Sequence, residues 1–302
     1  MKVNKAIITA AGLGTRFLPA SKAFQKEMVP VMNKPQLQYV IEEVIDSGIT
    51  DIAVVVRQGV KTFANYLQDN NKLWRFLKEN HKEHLMESWV DMRKKADFTL
   101  YEQKDSHPYG NGTPFNIARK FADKEPVAAL FGDDIMVHVD KSKPTCLRQM
   151  LDYYEEHKPT AVMASIEIPI EEIFRYGCFG YFPDKESSIP YHVKKLVEKP
   201  SPEEAPSNMA NTCRYVISHE VFEELGKKIK GKGNEVWLTD AVDRLIQQGR
   251  TVMAPPWEGS IWVPVGDPLR WLKANMVVAL SNEKYKEDVK DAINDIREMG
   301  LL

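Results

Sequence analysis

Within one short stretch, Ala10-Ala11-Gly12-Leu13-Gly14-Thr15-Arg16 is followed by Lys22 and then by Lys26-Glu27-Met28-Val29-Pro30. Glycines without a Cβ let backbone turn tightly and bring N–H groups close to an anion, and Arg16, Lys22 and Lys26 add charge that peptide dipoles cannot supply. The apolar run Lys5-Ala6-Ile7-Ile8-Thr9 reads as a buried strand, so the loop leaves a strand end with three cations close behind. A phosphate-rich guest such as a nucleoside triphosphate suits that arrangement. Neither of two better-known phosphate loops fits: no third glycine opens a helix after Gly14, and no Gly-Lys-Ser/Thr follows.

Three further positions carry chemistry. Asp133 and Asp134 follow the apolar run Val127-Ala128-Ala129-Leu130-Phe131 and Gly132, and carboxylates at a strand end suit a hard cation such as magnesium, although Gly-Asp-Asp is also a good turn. In Val197-Glu198-Lys199-Pro200, Glu198 can accept from ligand hydroxyls and Lys199 can reach a phosphate; a strand-end ion pair is the alternative. Gln103 ends an expected strand before Gly110-Asn111-Gly112-Thr113-Pro114, and a side-chain amide can read a base edge through one donor and one acceptor. A polar loop residue explains a lone Gln equally well.

The elements that must position these groups follow from periodicity. Strands are expected near 4–10, 51–57, 97–103 and 126–132, with helices near 36–48, 59–68 and 111–122 between them. A charged, helix-periodic insertion fills about 70–95. Further strands are expected near 160–166, 178–183, 191–198, 209–217, 251–255 and 259–265, with helices near 218–226 and 236–248. Two closing helices, 267–281 and 284–299, complete the chain, the second with opposite charges at helical spacing. Strand and helix alternate as in an α/β fold with a doubly wound, mixed, mostly parallel sheet, whose ligands sit at the strand carboxyl ends. Residues 1–266 are expected to form that domain and 267–302 a helical C-terminal extension.

The chain of 302 residues is 43% hydrophobic and 28% charged, the balance of a soluble globular protein, and its net charge of −2 argues against nucleic-acid binding. Cys146, Cys178 and Cys213 lack metal-type spacing and are expected to be reduced. With no leader-like start and no apolar run of about 18 residues, no membrane association and a cytoplasmic location are expected.

Taken in order, the landmarks resemble the sugar-1-phosphate nucleotidylyltransferases. They are the Gly12-to-Arg16 loop, Lys26-Glu27-Met28, Lys34-Pro35-Gln36-Leu37-Gln38-Tyr39, Gln103, Asp133, Tyr176-Gly177, Glu198-Lys199-Pro200, Ser207-Asn208, Arg214-Tyr215 and Glu235 to Ala241. The resemblance implies a Rossmann-like nucleotidyltransferase fold, and a reaction in which a sugar 1-phosphate attacks the α-phosphate of UTP and releases pyrophosphate. It implies nucleotide binding by Ala11, Gly12, Gly14, Thr15, Gln103 and Gly110, with Arg16 and Lys26 as catalytic cations on the triphosphate. It assigns the sugar to Gly177 and Glu198, the sugar phosphate to Lys199, Mg2+ to Asp133, and a dimer or tetramer to the assembly.

The sequence departs from that pattern in places. Pro264 stands where the family usually carries a second metal aspartate; Asp267 nearby reads as the N-cap of a helix with Pro268 at its first position, and Asp134 is another stand-in. Gln25 replaces a common proline, and Gly110-Asn111-Gly112-Thr113-Pro114 replaces the usual Gly-Leu-Gly-His-Ala. Another nucleotide or sugar, such as dTTP or N-acetylglucosamine 1-phosphate, is the alternative raised by that loop. A nucleotide-sugar-binding regulatory paralogue is the alternative raised by Pro264.

Overall fold

The computed structural model describes residues 2–301. In chain order the strands are β1 (Lys5–Ala10), β2 (Pro30–Val31), β3 (Lys34–Pro35), β4 (Asp51–Arg57), β5 (Asp97–Gln103), β6 (Val127–Phe131), β7 (Asp134–His138), β8 (Ala161–Glu167), β9 (Gly177–Tyr181), β10 (Val193–Glu198), β11 (Met209–Ile217), β12 (Val252–Met253) and β13 (Ser260–Pro264). The helices are α1 (Gln36–Asp46), α2 (Thr62–Tyr66), α3 (Asn71–Glu79), α4 (Glu87–Lys95), α5 (Gly112–Ile117), α6 (Arg119–Ala122), α7 (Cys146–His157), α8 (His219–Gly226), α9 (Leu238–Gln247), α10 (Pro268–Leu280) and α11 (Lys286–Glu298).

Nine strands form one mixed sheet along the path β10-β9-β11-β6-β1-β4-β5, with β8 on β11 and β12 on β8. β1 pairs parallel with β4 on one side and β6 on the other, β5 extends β4 in parallel, and β11 runs antiparallel to β6. The central strands are apolar without a break because both faces are covered. In β1, Ala6, Ile8 and Ala10 join the core beneath α1 and α7, whereas Ile7 joins the one beneath α5, α8 and α9. In β4, Ile52, Val54 and Val56 take the first side while Ala53 and Val55 take the second. This is the α/β fold with both sheet faces buried that strand and helix alternation implies.

The chain leaves β1 for β4 and β5 and then returns to β6 on β1's other side, so connections diverge between β1 and β6. Ligands bind outside the strand carboxyl ends at such a switch point. Here the two ends lie in register, Thr9 beside Phe131, and Gly132 N–H donates to Thr9 O at 2.9 Å. The glycine loop after β1 and the Asp133 turn after β6 are therefore neighbours.

Several elements differ from the sequence expectation. Residues 133–159, read without an element, contain β7 and α7; β7 pairs only with β13, in a two-stranded antiparallel ribbon. The helix expected over 111–122 breaks into α5 and α6 at Ala118, whose ψ of 7° leaves the helical region. The helix expected over 59–68 is confined to Thr62–Tyr66. The insertion near 70–95 is helical, and it is anchored as well as solvated: Trp89 and Met92 of α4 enter the main core, and Trp89 Nε1–H donates to Tyr66 O at 2.8 Å.

Asp267 caps α10 as its sequence suggests, with Oδ1 accepting from Arg270 N–H at 3.0 Å and Pro268 in the first turn. Ala274 of α10 packs with Val31, Ile135, Val263 and Val265, which ties this helix to the ribbon beside the Asp133 turn. All three cysteines are free thiols. Among the described residues no helix is long and apolar enough to cross a membrane.

Candidate active site

The glycine loop is shaped around Lys26. A Cβ at Gly12 would lie 2.5 Å from Lys26 Cε and 2.9 Å from its Nζ, so the lysine occupies the space that any side chain there would need. Gly14 has φ +64, in the left-handed region that favours glycine, and its carbonyl accepts from Ser21 Oγ at 2.7 Å. Gln25 is buried and its side-chain amide donates to Ala10 O, fastening the lysine segment to the strand end. That bond gives Gln25 a role a proline could not fill.

Lys26 Nζ lies 2.5 Å from Asp133 Oδ2 and 3.7 Å from Glu27 Oε1. Burial works against its charge, but the carboxylates of Asp133 and Glu27 outweigh burial and hold the ammonium well above the ordinary lysine range. Glu27 is 1% exposed, and one of its oxygens has no partner among the described residues. Burial pushes its carboxyl up to about 7 against the pull of Lys26. Asp134 is pushed up to about 6, first by burial and then by Asp133, while Arg214 and the Trp262 indole oppose the rise.

A stability prediction follows for Glu27. Its folded pKa lies above the ordinary glutamate value, so the native state holds the proton more tightly, and stability present below about pH 4.5 is lost as pH rises through about 7. Glu27→Gln removes that loss. Its melting temperature relative to the parent should therefore climb between pH 5 and pH 8, a trend that differential scanning calorimetry across that range would measure; a flat difference would contradict it.

Two adjoining cavities open around Lys26 and Asp133. The first, of about 210 Å³, is lined by Ala11, Gly12, Gln103, Tyr109, Gly110, Asn111 and Trp237 among others, and Lys26 is its sole cation, beside Glu27, Asp133 and Glu235. Aromatic faces, amides and bare backbone suit a base and ribose rather than phosphates. The second, of about 280 Å³, carries Arg16, Lys26, Arg175, Lys199 and Arg270 against Asp133, Asp134 and Glu198. Lys26, Asp133, Asn111, Phe131 and Trp237 line both.

The loop at 110–112 is built against the chain before α9. Gly110 has φ +125, and a Cβ there would fall 2.3 Å from Val236 O. Val236 N–H donates to Tyr109 O at 2.8 Å, Gly112 N–H returns to Val236 O at 2.9 Å, and Leu238 N–H donates to Asn111 Oδ1 at 2.9 Å. Trp237 is thereby fixed between these bonds as a wall. The replacement of the usual loop residues is thus structurally coherent: Asn111 serves as a bracket.

In the second cavity Glu198 Oε2 accepts from Thr239 Oγ1 at 2.7 Å, while Lys199 Nζ sits 3.4 Å from Glu198 Oε1 and 4.1 Å from the Trp237 ring centre. Lys199 has φ +47, and its N–H donates to Tyr176 O at 3.1 Å, beside Gly177. Of the residues singled out by sequence, Ala11, Gly12, Gln103 and Gly110 line the first cavity, Arg16, Gly177, Glu198 and Lys199 the second, and Lys26 and Asp133 both. Gly14 and Thr15 line neither; they form the turn that carries Arg16. Lys22 is exposed on the following turn and lines neither.

Arg214 is a part of the site whose role sequence reasoning did not assign. It is fully buried on β11, with Nε 2.8 Å from Glu43 Oε2 of α1, and its Nη2 donates to Asp134 O at 2.7 Å. Glu43 Oε1 in turn accepts from Leu147 N–H at 3.1 Å. β11 shifts register between Asn211 and Tyr215, with Cys213 at φ +65. The signal was a charged residue beside the apolar run Tyr215-Val216-Ile217 of a strand.

For a divalent cation the donor set is small: Asp133 borders both cavities, Pro264 offers no side-chain ligand, and Asp134 Oδ1 accepts from Trp262 Nε1 at 3.1 Å. One carboxylate completed by substrate phosphates is a composition that magnesium accepts. The residues present therefore fit a substrate-completed metal.

A glycine loop at a switch point, a lysine and an aspartate between two cavities, and a Rossmann-like sheet are the features of a nucleotide-handling transferase. The chain belongs to the nucleotidyl transferase family, whose sequence model matches residues 5–281. It is 38% identical over 290 residues to the UTP–glucose-1-phosphate uridylyltransferase of Streptococcus pneumoniae serotype 4, covering 96% of this chain and 95% of that one. Among solved structures it is similar to the UTP-bound UGPase from Acinetobacter baumannii, with a TM-score of 0.84 and 28% identity over 97% of this chain and 99% of that one. A UDP-glucose pyrophosphorylase complexed with UDP-glucose gives a TM-score of 0.79 and 29% identity over 91% of this chain and 98% of that one.

Proposed function

We propose that the chain transfers the uridylyl group of UTP to glucose 1-phosphate, giving UDP-glucose and pyrophosphate. The observation that carries this reading is the placement of Lys26 and Asp133 at the junction of a cavity suited to a base and a cavity rich in cations. Gln103 and the backbone at Ala11, Gly12 and Gly110 hold the uracil and ribose. Gly177 and Glu198 hold the sugar, and Lys199 its phosphate. A phosphate oxygen of the sugar phosphate attacks the α-phosphorus, the bond from that phosphorus to the bridging oxygen breaks, and pyrophosphate leaves with the electron pair. Arg16 and Lys26 neutralise the charge on the triphosphate as it passes to the leaving group. No nucleophilic side chain is required, because positioning and charge neutralisation lower most of such a barrier. Asp133 would hold Mg2+, which supplies further neutralisation when bound. Gly14 and Thr15 contribute by fixing the turn behind Arg16. We read residues 1–266 as the catalytic domain with 267–302 as its helical extension, in a cytoplasmic homodimer or homotetramer.

The test is pyrophosphate release from a matrix of UTP and dTTP against glucose 1-phosphate and N-acetylglucosamine 1-phosphate, with Mg2+. UTP with glucose 1-phosphate should give the highest kcat/KM, with no release when either is omitted. Preference for another pair would reassign the substrates, and tight UTP binding without turnover by any pair would favour a regulatory protein.

A further inference from the structure

Arg270 has no role in the assignment above, yet it lines the second cavity from the first turn of α10. Its Nε is 3.5 Å from Asp267 Oδ2, longer than a charge-assisted hydrogen bond, which leaves the fork of Nη donors able to bind elsewhere. The guanidinium lies 5.7 Å from the Tyr176 ring centre, and the Tyr176 carbonyl accepts from Lys199 N–H. The Arg270 side chain and the Lys199 backbone therefore both meet Tyr176, and both side chains line the second cavity. The adjoining end of β13 is Pro264, so β13 adds no carboxylate to Asp267 beside the guanidinium. The first cavity shows the contrast: it holds one cation among three carboxylates, so it draws no phosphate to itself.

We propose that Arg270 is a second phosphate-binding residue for the sugar 1-phosphate, gripping the phosphate together with Lys199 and orienting the attacking oxygen. The side chain's planar fork matches two phosphate oxygens at once, which a lysine cannot do. This deepens the transferase reading and rests on it. A proline at the end of β13 is then part of the design: a carboxylate at that point would pair with the guanidinium and withdraw it from substrate.

The experiment measures binding of glucose 1-phosphate and of UTP separately, by calorimetry on the parent, Arg270→Ala, Arg270→Lys and Pro264→Asp, alongside steady-state kinetics. Arg270→Ala should weaken glucose 1-phosphate binding roughly 10- to 100-fold, the loss of a charged hydrogen-bond pair. UTP affinity should stay within about twofold, which also verifies folding. Arg270→Lys should recover part of the loss, and Pro264→Asp should weaken the sugar phosphate in the same direction. Unchanged sugar-phosphate binding in Arg270→Ala, or an equal loss for UTP, would overturn the proposal. Failure of the transferase reading shows separately, as a parent protein that binds these ligands but makes no UDP-glucose.

Discussion

Lys26→Met should lower kcat for pyrophosphate release by roughly 10³-fold, the usual scale for removing a preorganised charge that stabilises a transition state. Methionine keeps most of the length and apolar stem, so the change is chiefly the loss of the ammonium. That ammonium stands where the two cavities meet, 2.5 Å from Asp133. Its neighbours keep it charged throughout the working pH range. Ground-state binding of UTP should fall far less than kcat, because other cations also meet the phosphates. Rapid-quench measurement of a single turnover would separate the two: a slow chemical step with near-normal UTP affinity is expected, and a kcat within about tenfold of the parent would remove Lys26 from the reaction. The substitution also leaves Asp133 without its counter-cation, so the melting temperature should be recorded beside the kinetics.

The second large effect concerns stability. Glu43→Ala should destabilise the fold by about 3–5 kcal/mol, the cost of stranding one member of a buried ion pair. Arg214 is 0% exposed and loses its carboxylate partner, while Leu147 N–H loses its acceptor as α7 begins. Replacing both partners, Glu43→Leu with Arg214→Met, should recover a large part of that loss, since an apolar pair leaves no uncompensated charge. Urea unfolding of the single and double variants would check the cycle. A single variant within about 1 kcal/mol of the parent would show that the pair does not act as a buried bridge. Because Arg214 also holds the Asp134 carbonyl, the double variant should recover stability without recovering full activity.

Much of this was legible in the chain itself. The runs at β1, β4 and β6 are apolar without alternation because helices cover both faces, and that pattern gave the sheet. α7 was missed although Thr145 caps it, accepting from Arg148 N–H, and Cys146, Leu147, Met150, Leu151 and Tyr154 form its buried stripe. Arg148, Gln149 and Asp152 fill the other face at helical spacing, so the signal for this helix was present in the sequence. β7 is short and pairs only with a strand more than a hundred residues later, so no local pattern could declare it. At the site, Gly12 and Lys26 were visible as a glycine loop and a cation. That the lysine fills the glycine's missing side chain is a fact of three-dimensional packing. Arg214 was singled out by the resemblance without a role, and Arg270 was not singled out, for a related reason: each acts through partners distant in sequence, on α1 and β7 in one case and on β9's approach in the other.

Trp237 is one of the five residues that line both chambers, and the bonds on either side of it run to Tyr109, Gly112 and Asn111. A guest in either chamber therefore meets the same indole. Where the first substrate spends energy in ordering that side chain, the second need not, and thermodynamic reciprocity returns the effect in equal measure.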